Sequence, residues 1–317
     1  MKVLLVGEPM QLFMANETGA LKDIRSFTAS VAGAELNVAI GLKRLGHEVA
    51  YYTRLGTDPF GEHILDVMRE NGIDTSLITR SQSHKTGFML KSQTRQGDPS
   101  IFYFRSGSAA SSIGPEDIET LDLTGCDCLH MTGIFPALSD STRQAAFLLM
   151  EKAKKAGLLV SFDPNLRPQL WPNRETMVET LNRLAVMADL FLPGCGEGEI
   201  LMGSRDPQSI AAFYQEKGVP RVIVKTGKQG AFGADRQECI QVPTYQEDCF
   251  VDTVGAGDGF AAGILSAMGE GLSLRDCLLR ANAIGTIQIM NPSDNEGLPT
   301  REQLKEFMDT HSFKEIS

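Results

Sequence analysis

The sequence predicts an α/β fold, a parallel sheet with helices on its faces and a small β-flap. Three observations predict it. Short aliphatic runs alternate with helix-length amphipathic segments. Several of those segments stop at a glycine. One stretch of hairpin character interrupts the alternation.

Residues 2–7 form a short aliphatic run closed by Gly7 and read as a buried strand. Segment 34–45 carries Leu36, Ala39, Ile40, Leu42 and Leu45 at helical spacing and stops at Gly46. A strand at 49–53 and a helix at 59–71, stopped by Gly72, complete the first βαβα run. The pattern returns with strands at 128–132, 158–163, 190–192 and 222–225, and helices at 140–156, 175–187 and 207–217. The final third reads as helical, over 256–269, 274–290 and 301–309. Segment 12–28 is polar with no long apolar period. Segments 87–92 and 101–105 read as two strands around a polar turn at 93–99. Such material is either a lid over a site or surface decoration.

The 317 residues and a net charge of −10 narrow the function. The length is ample to bury a core, and 42% hydrophobic with 22% charged residues matches a globular chain. The acidic balance opposes non-specific binding to nucleic acid or to an anionic membrane. No apolar run reaches the roughly 20 residues of a membrane helix. The first residues are too short for a signal-peptide core, so the sequon at Asn16 reads as chance. Six cysteines without a C-x-x-C pair read as reduced thiols of a cytoplasmic protein rather than a metal site with His130.

The chemistry concentrates in Asp252-Thr253-Val254-Gly255-Ala256-Gly257-Asp258-Gly259-Phe260, which runs into a helical segment. Amides at a helix start attract anions, and the glycines let the backbone approach a phosphate. Asp258 there has two readings: a base beside a phosphate site, or an acid favoured by the helix dipole. The turn is neither a Walker A loop nor a dinucleotide fingerprint.

These residues resemble the C-terminal signature of the ribokinase-like (PfkB) sugar kinases. The resemblance covers nearly the whole chain. Ala32-Gly33-Ala34-Glu35-Leu36-Asn37-Val38-Ala39 resembles the family's sugar-binding turn, with Ala32 for its first glycine, and Leu55-Gly56-Thr57-Asp58-Pro59-Phe60-Gly61 resembles a second family segment. Stretches at 102–109, 130–139, 162–171 and 294–297 are similar to the branch acting on 2-keto-3-deoxygluconate.

The resemblance implies one ribokinase-like domain over 1–317, a Rossmann-type three-layer sandwich whose β-lid comes from about 10–30 and 86–108. It implies transfer of the γ-phosphate of ATP, with Mg²⁺, to a sugar acid, and a homo-oligomer formed through the lid. A monovalent cation is left open. Carried over by position, Asp258 is the catalytic base and Gly255, Ala256 and Gly257 form the anion hole. Gly33, Asn37, Tyr103, Arg105, Ile134, Arg167 and Asp294 line the sugar-acid site. Asn165, Lys225, Thr226, Gly227, Gly230 and Asn282 lie on the nucleotide side. Glu197 reaches Mg²⁺ through water. Gly194 stands where the family has Asn, and Met89 where the sugar-acid kinases often have Tyr.

Beside the resemblance, a carboxylate substrate is best gripped by guanidinium forks. Arg105 ends one strand-like segment and Arg167 follows another, where they are either that grip or solvated charges. A neutral sugar, and a non-catalytic sensor, are the alternative readings.

Overall fold

The computed structural model describes residues 1–93 and 99–314. The expected turn at 93–99 falls almost wholly outside the described residues. Among the described residues, fourteen strands run in chain order as β1 (Lys2–Val6), β2 (Met10–Thr18), β3 (Phe27–Ala32), β4 (Glu48–Tyr52), β5 (Arg54–Gly56), β6 (Thr79–Ser81), β7 (Phe88–Gln93), β8 (Ile101–Phe104), β9 (Cys128–Thr132), β10 (Leu159–Asp163), β11 (Leu190–Phe191), β12 (Arg221–Lys225), β13 (Ala231–Ala234) and β14 (Cys239–Val242). Eight of them make one sheet, in the order β14-β13-β12-β11-β10-β9-β1-β4. From β4 to β12 every pairing is parallel, while β13 and β14 add antiparallel.

Alternation along the strands supplies both faces of this sheet. Val3, Leu5, Val49 and Tyr51 point to a core shared with helices Ala34–Arg44, Ala256–Gly269 and Leu274–Ile289. Leu4, Val6, Ala50 and Tyr52 point to a second core under helices Asp140–Lys155, Arg174–Ala185 and Pro207–Glu216. Each fully buried Leu or Val contributes about 1.5–3 kcal/mol. Helices Ala256–Gly269 and Leu274–Ile289 pack closely because Gly263 lacks a side chain, and a Cβ there would lie 2.7 Å from the Ala281 Cα.

Strands β3-β2-β7-β8 form a separate four-stranded sheet. The polar segment 12–28 therefore holds most of a nine-residue strand that hydropathy does not show. Gln11, near the start of the same strand, is buried yet satisfied, because its amide donates to Ser30 O (2.8 Å) and its carbonyl oxygen meets His63 Nδ1 (2.7 Å). The three helices expected in the final third form, over Ala256–Gly269, Leu274–Ile289 and Arg301–Thr310. Strands β13 and β14 fill the stretch before them that the sequence left unassigned, and Gly230 (φ 92°) turns the chain back antiparallel.

Candidate active site

The carboxyl ends of the parallel strands open into a cavity of about 360 Å³, the place where α/β sheets bind ligands. The chain beyond β1 brings Met10, that beyond β9 brings Ile134, and that beyond β10 brings Asp163, Asn165 and Arg167. Met89, Ile101, Tyr103 and Arg105 reach in from β7, β8 and the residue after β8. A second cavity of about 360 Å³ adjoins it, lined by Tyr245, Phe250, Phe260, Asn282 and Ile289 with Lys228, Glu247 and Lys314. Lys225, Thr253 and Gly257 line both.

The boundary between the cavities is the glycine turn. Gly255 caps helix Ala256–Gly269 in the left-handed region (φ 76°), and a Cβ there would lie 2.3 Å from Asp294 O. Gly259 is the first residue whose amide bonds within the helix, to Gly255 O (2.8 Å). The amides of Gly257 and Asp258 thus stand at the free helix end. The Ala256 amide instead turns back to Thr253 O (3.3 Å), and Ala256 lines the second cavity.

Asp258 lies in the first turn of that helix and lines the first cavity. Burial pushes its carboxyl up to about 7, against the Asn37 hydrogen bond; Asp163 adds to the rise and Arg167 opposes it. Asn37 Nδ2 donates to Asp258 Oδ2 at 2.7 Å, and Asn295 Nδ2 donates to Asn37 Oδ1 at 3.1 Å. Gly33 caps helix Ala34–Arg44 with φ 148°, a conformation that favours glycine.

Asp163 anchors the far wall. Its Oδ1 accepts from the Asn165 amide (3.0 Å) and its Oδ2 from Lys225 Nζ (2.6 Å). Asn165 is the one described non-glycine residue with positive φ (36°), a conformation asparagine tolerates. Glu197 accepts from Gly194 N (2.7 Å) and Leu166 N (3.1 Å). Burial raises its carboxyl, and Lys225 at 3.8 Å opposes this. Among the described residues no group of three His, Cys, Asp or Glu forms a metal cage. Asp163 and Glu197 in one cavity do fit Mg²⁺, which usually binds through one or two carboxylates, waters and substrate phosphates.

Some sequence expectations change. Arg105 is not a freely available charge. It is 7% exposed, and its Nε donates to Glu8 Oε2 at 2.6 Å, with Nη2 2.5 Å from the same oxygen. Asp294 likewise is engaged, by Lys91 Nζ at 3.0 Å. Asn165 lines the first cavity and not the second. Thr226 lines neither cavity; its hydroxyl accepts from Gln241 Nε2 (3.2 Å). Gly227, Gly230 and Asn282 do line the second cavity, and Asn282 donates to Pro243 O (2.9 Å). Glu35, beside the Gly33 turn, is buried and accepts from Thr132 Oγ1 (2.6 Å). Sequence reasoning missed Glu8, Lys91, Asp163 and Asn295, which bond to the lining residues Arg105, Asp294, Lys225 and Asn37 respectively. For Lys91 a signal existed, since it shares the buried face of β7 with Met89.

The family model for pfkB carbohydrate kinases matches residues 1–301. The chain belongs to the pfkB carbohydrate kinase family. Its relatives include a 2-dehydro-3-deoxygluconokinase of Bacillus subtilis strain 168, 44% identical over 95% of this chain and 94% of the other. A 2-dehydro-3-deoxygluconokinase of Thermoproteus tenax is 30% identical over 96% of this chain and 94% of the other. Among solved structures, a PfkB protein from Polaromonas sp. JS666 is 41% identical with a TM-score of 0.88, covering 96% of this chain and 99% of that one. The pfkB family fold is thus present across the chain. No helix among its described residues is long and apolar enough to cross a membrane.

Proposed function

We propose that this pfkB kinase transfers the γ-phosphate of ATP to the terminal hydroxyl of 2-keto-3-deoxygluconate. The observation that carries this is the first cavity itself, where Asp258, poised near neutrality, shares one space with Arg105 and Arg167. The relatives named as 2-dehydro-3-deoxygluconokinases support the same substrate.

In this reading the sugar acid lies between the small sheet and the glycine turn. Arg167 and the cavity side of Arg105 hold the carboxylate, with Tyr103, Gly33, Ile134 and Asp294 shaping the pocket. The nucleotide base occupies the second cavity near Asn282, and its phosphates reach Lys225 and the amides of Gly257 and Asp258. Asp258 takes the proton of the attacking hydroxyl. The helix start stabilises charge developing on the transferred phosphoryl group. Mg²⁺ supplies charge neutralisation at the phosphates, with Glu197 and Asp163 as the residues that would hold it through water. Closure of the small sheet excludes water from the cavity.

A neutral sugar is the second reading, and the Glu8–Arg105 pair favours it by cancelling one of the two guanidinium charges. A panel of sugar acids and neutral sugars with MgATP separates the two. ADP release fastest with 2-keto-3-deoxygluconate supports the first reading, and fastest with fructose or ribose supports the second. No release with any sugar points to a sensor.

We further propose a homo-oligomer through the small sheet. Phe102 (57% exposed) and Phe104 (51%) stand on β8, an edge strand of that sheet, and such an edge is normally covered. All six cysteines are free, which fits action in the reducing cytoplasm.

A further inference from the structure

Lys91 projects from β7 of the small sheet and is 4% exposed. A buried ammonium requires partners. Nζ donates to Asp294 Oδ1 (3.0 Å) and Pro292 O (3.3 Å), and lies 3.4 Å from Asp252 Oδ2. Both carboxylates are themselves buried. They belong to the two segments that build the glycine turn. Asp252 Oδ1 accepts from Val254 N (2.9 Å). The carbonyl of Asp294 abuts Gly255 closely enough to exclude a Cβ. Gln288 Nε2 joins the same two segments, through Val254 O (3.3 Å) and Ser293 O (2.5 Å). One positive charge therefore sits in a cage of oxygens behind the turn, and it arrives on a strand of the sheet that covers the sugar cavity.

We infer that Lys91 is a positioning residue that serves as a built-in monovalent cation for the glycine turn. It holds segments 252–255 and 292–295 together, aims the turn's amides, and couples that geometry to the docking of β7. Removal of the ammonium leaves two buried carboxylates facing an oxygen-lined space, which a potassium-sized ion can fill. Because the charge is tethered to the chain, its effective concentration is high and no free monovalent ion is required.

The inference rests on the phosphoryl-transfer reading, and one set of assays separates the two. ADP release by the full-length protein with MgATP and the sugar acid is measured in choline chloride and in potassium chloride. The wild type is expected to turn over equally in both. Lys91→Ala is expected to lose about 10²-fold in kcat in choline, the size that misplaced catalytic geometry costs. Its KM for ATP should change much less, and potassium should restore a large part of kcat. Lys91→Arg should keep more activity than Lys91→Ala. Wild-type turnover that itself depends on potassium overturns the inference, and this arm stands even if Lys91→Ala fails to fold. A folded Lys91→Ala that matches wild type, or that loses activity without potassium rescue, overturns it as well. Absence of ADP release by the wild type with every sugar defeats the kinase reading instead.

Discussion

Asn37 and Asp258, 221 residues apart in sequence, meet through a 2.7 Å hydrogen bond in which the Asn37 amide donates to the Asp258 carboxylate. The bond ties the start of helix Ala34–Arg44 to the start of helix Ala256–Gly269. It also opposes the burial that raises the Asp258 carboxyl to about 7. A base with such a value can accept a proton near neutrality and give it up again.

Asp258→Asn should therefore remove the base while keeping the shape, since the new amide oxygen can still accept from Asn37. Turnover should fall roughly 10²–10⁴-fold, with ATP affinity changed little. Steady-state kinetics and nucleotide titration check both.

The pH profile follows from the same group. The acidic limb of kcat/KM for the sugar should fall near pH 7, with activity gained as Asp258 ionises. Asn37→Ala removes a donor that favours the charged form, so the limb should move to higher pH. Profiles of the two proteins, measured side by side, test the direction.

Stability carries the opposite sign. A carboxyl whose folded-state value is raised above its ordinary 3.8 favours folding when protonated, and that contribution disappears as pH rises through about 7. Asp258→Asn, a permanent neutral, should melt above the wild type at about pH 8, and the gap should close toward about pH 4. Thermal unfolding of both ligand-free proteins across that range decides it.

Glu8 and Arg105 should behave as one unit. Breaking a buried pair leaves an unpartnered charge and costs about 3–5 kcal/mol. Both Glu8→Ala and Arg105→Ala should therefore lower the melting temperature. Arg105→Ala should in addition raise KM for the sugar acid far more than KM for ATP. Equal increases in both KM values would remove Arg105 from the substrate site.

Gly255→Ala tests the turn. Its left-handed φ and the 2.3 Å approach of a Cβ to Asp294 O leave no room for a side chain. The turn's amides should shift, with a loss of roughly 10²–10³-fold in kcat, comparable to losing one oxyanion donor. Rapid-quench measurement of the chemical step checks this.

Local pattern decided a good deal. Helix Ala34–Arg44 and strand Cys128–Thr132 were legible because apolar spacing and glycine stops act over a few residues. The glycine turn and Asp258 were legible because a helix start needs small residues in sequence order. Strand β2 was not legible, because partners far along the chain satisfy its buried Gln11. The Glu8–Arg105 pair was not legible for a similar reason, since nothing near position 105 announces Glu8. By itself the sequence determined the α/β alternation, the glycine-rich helix start and the family. Only the tertiary structure decided how each charge is balanced: Arg105 by Glu8, Asp294 and Asp252 by Lys91, and Lys225 by Asp163. Periodicity is a property of neighbours in the chain. The protonation and availability of a buried charge depend on neighbours in space.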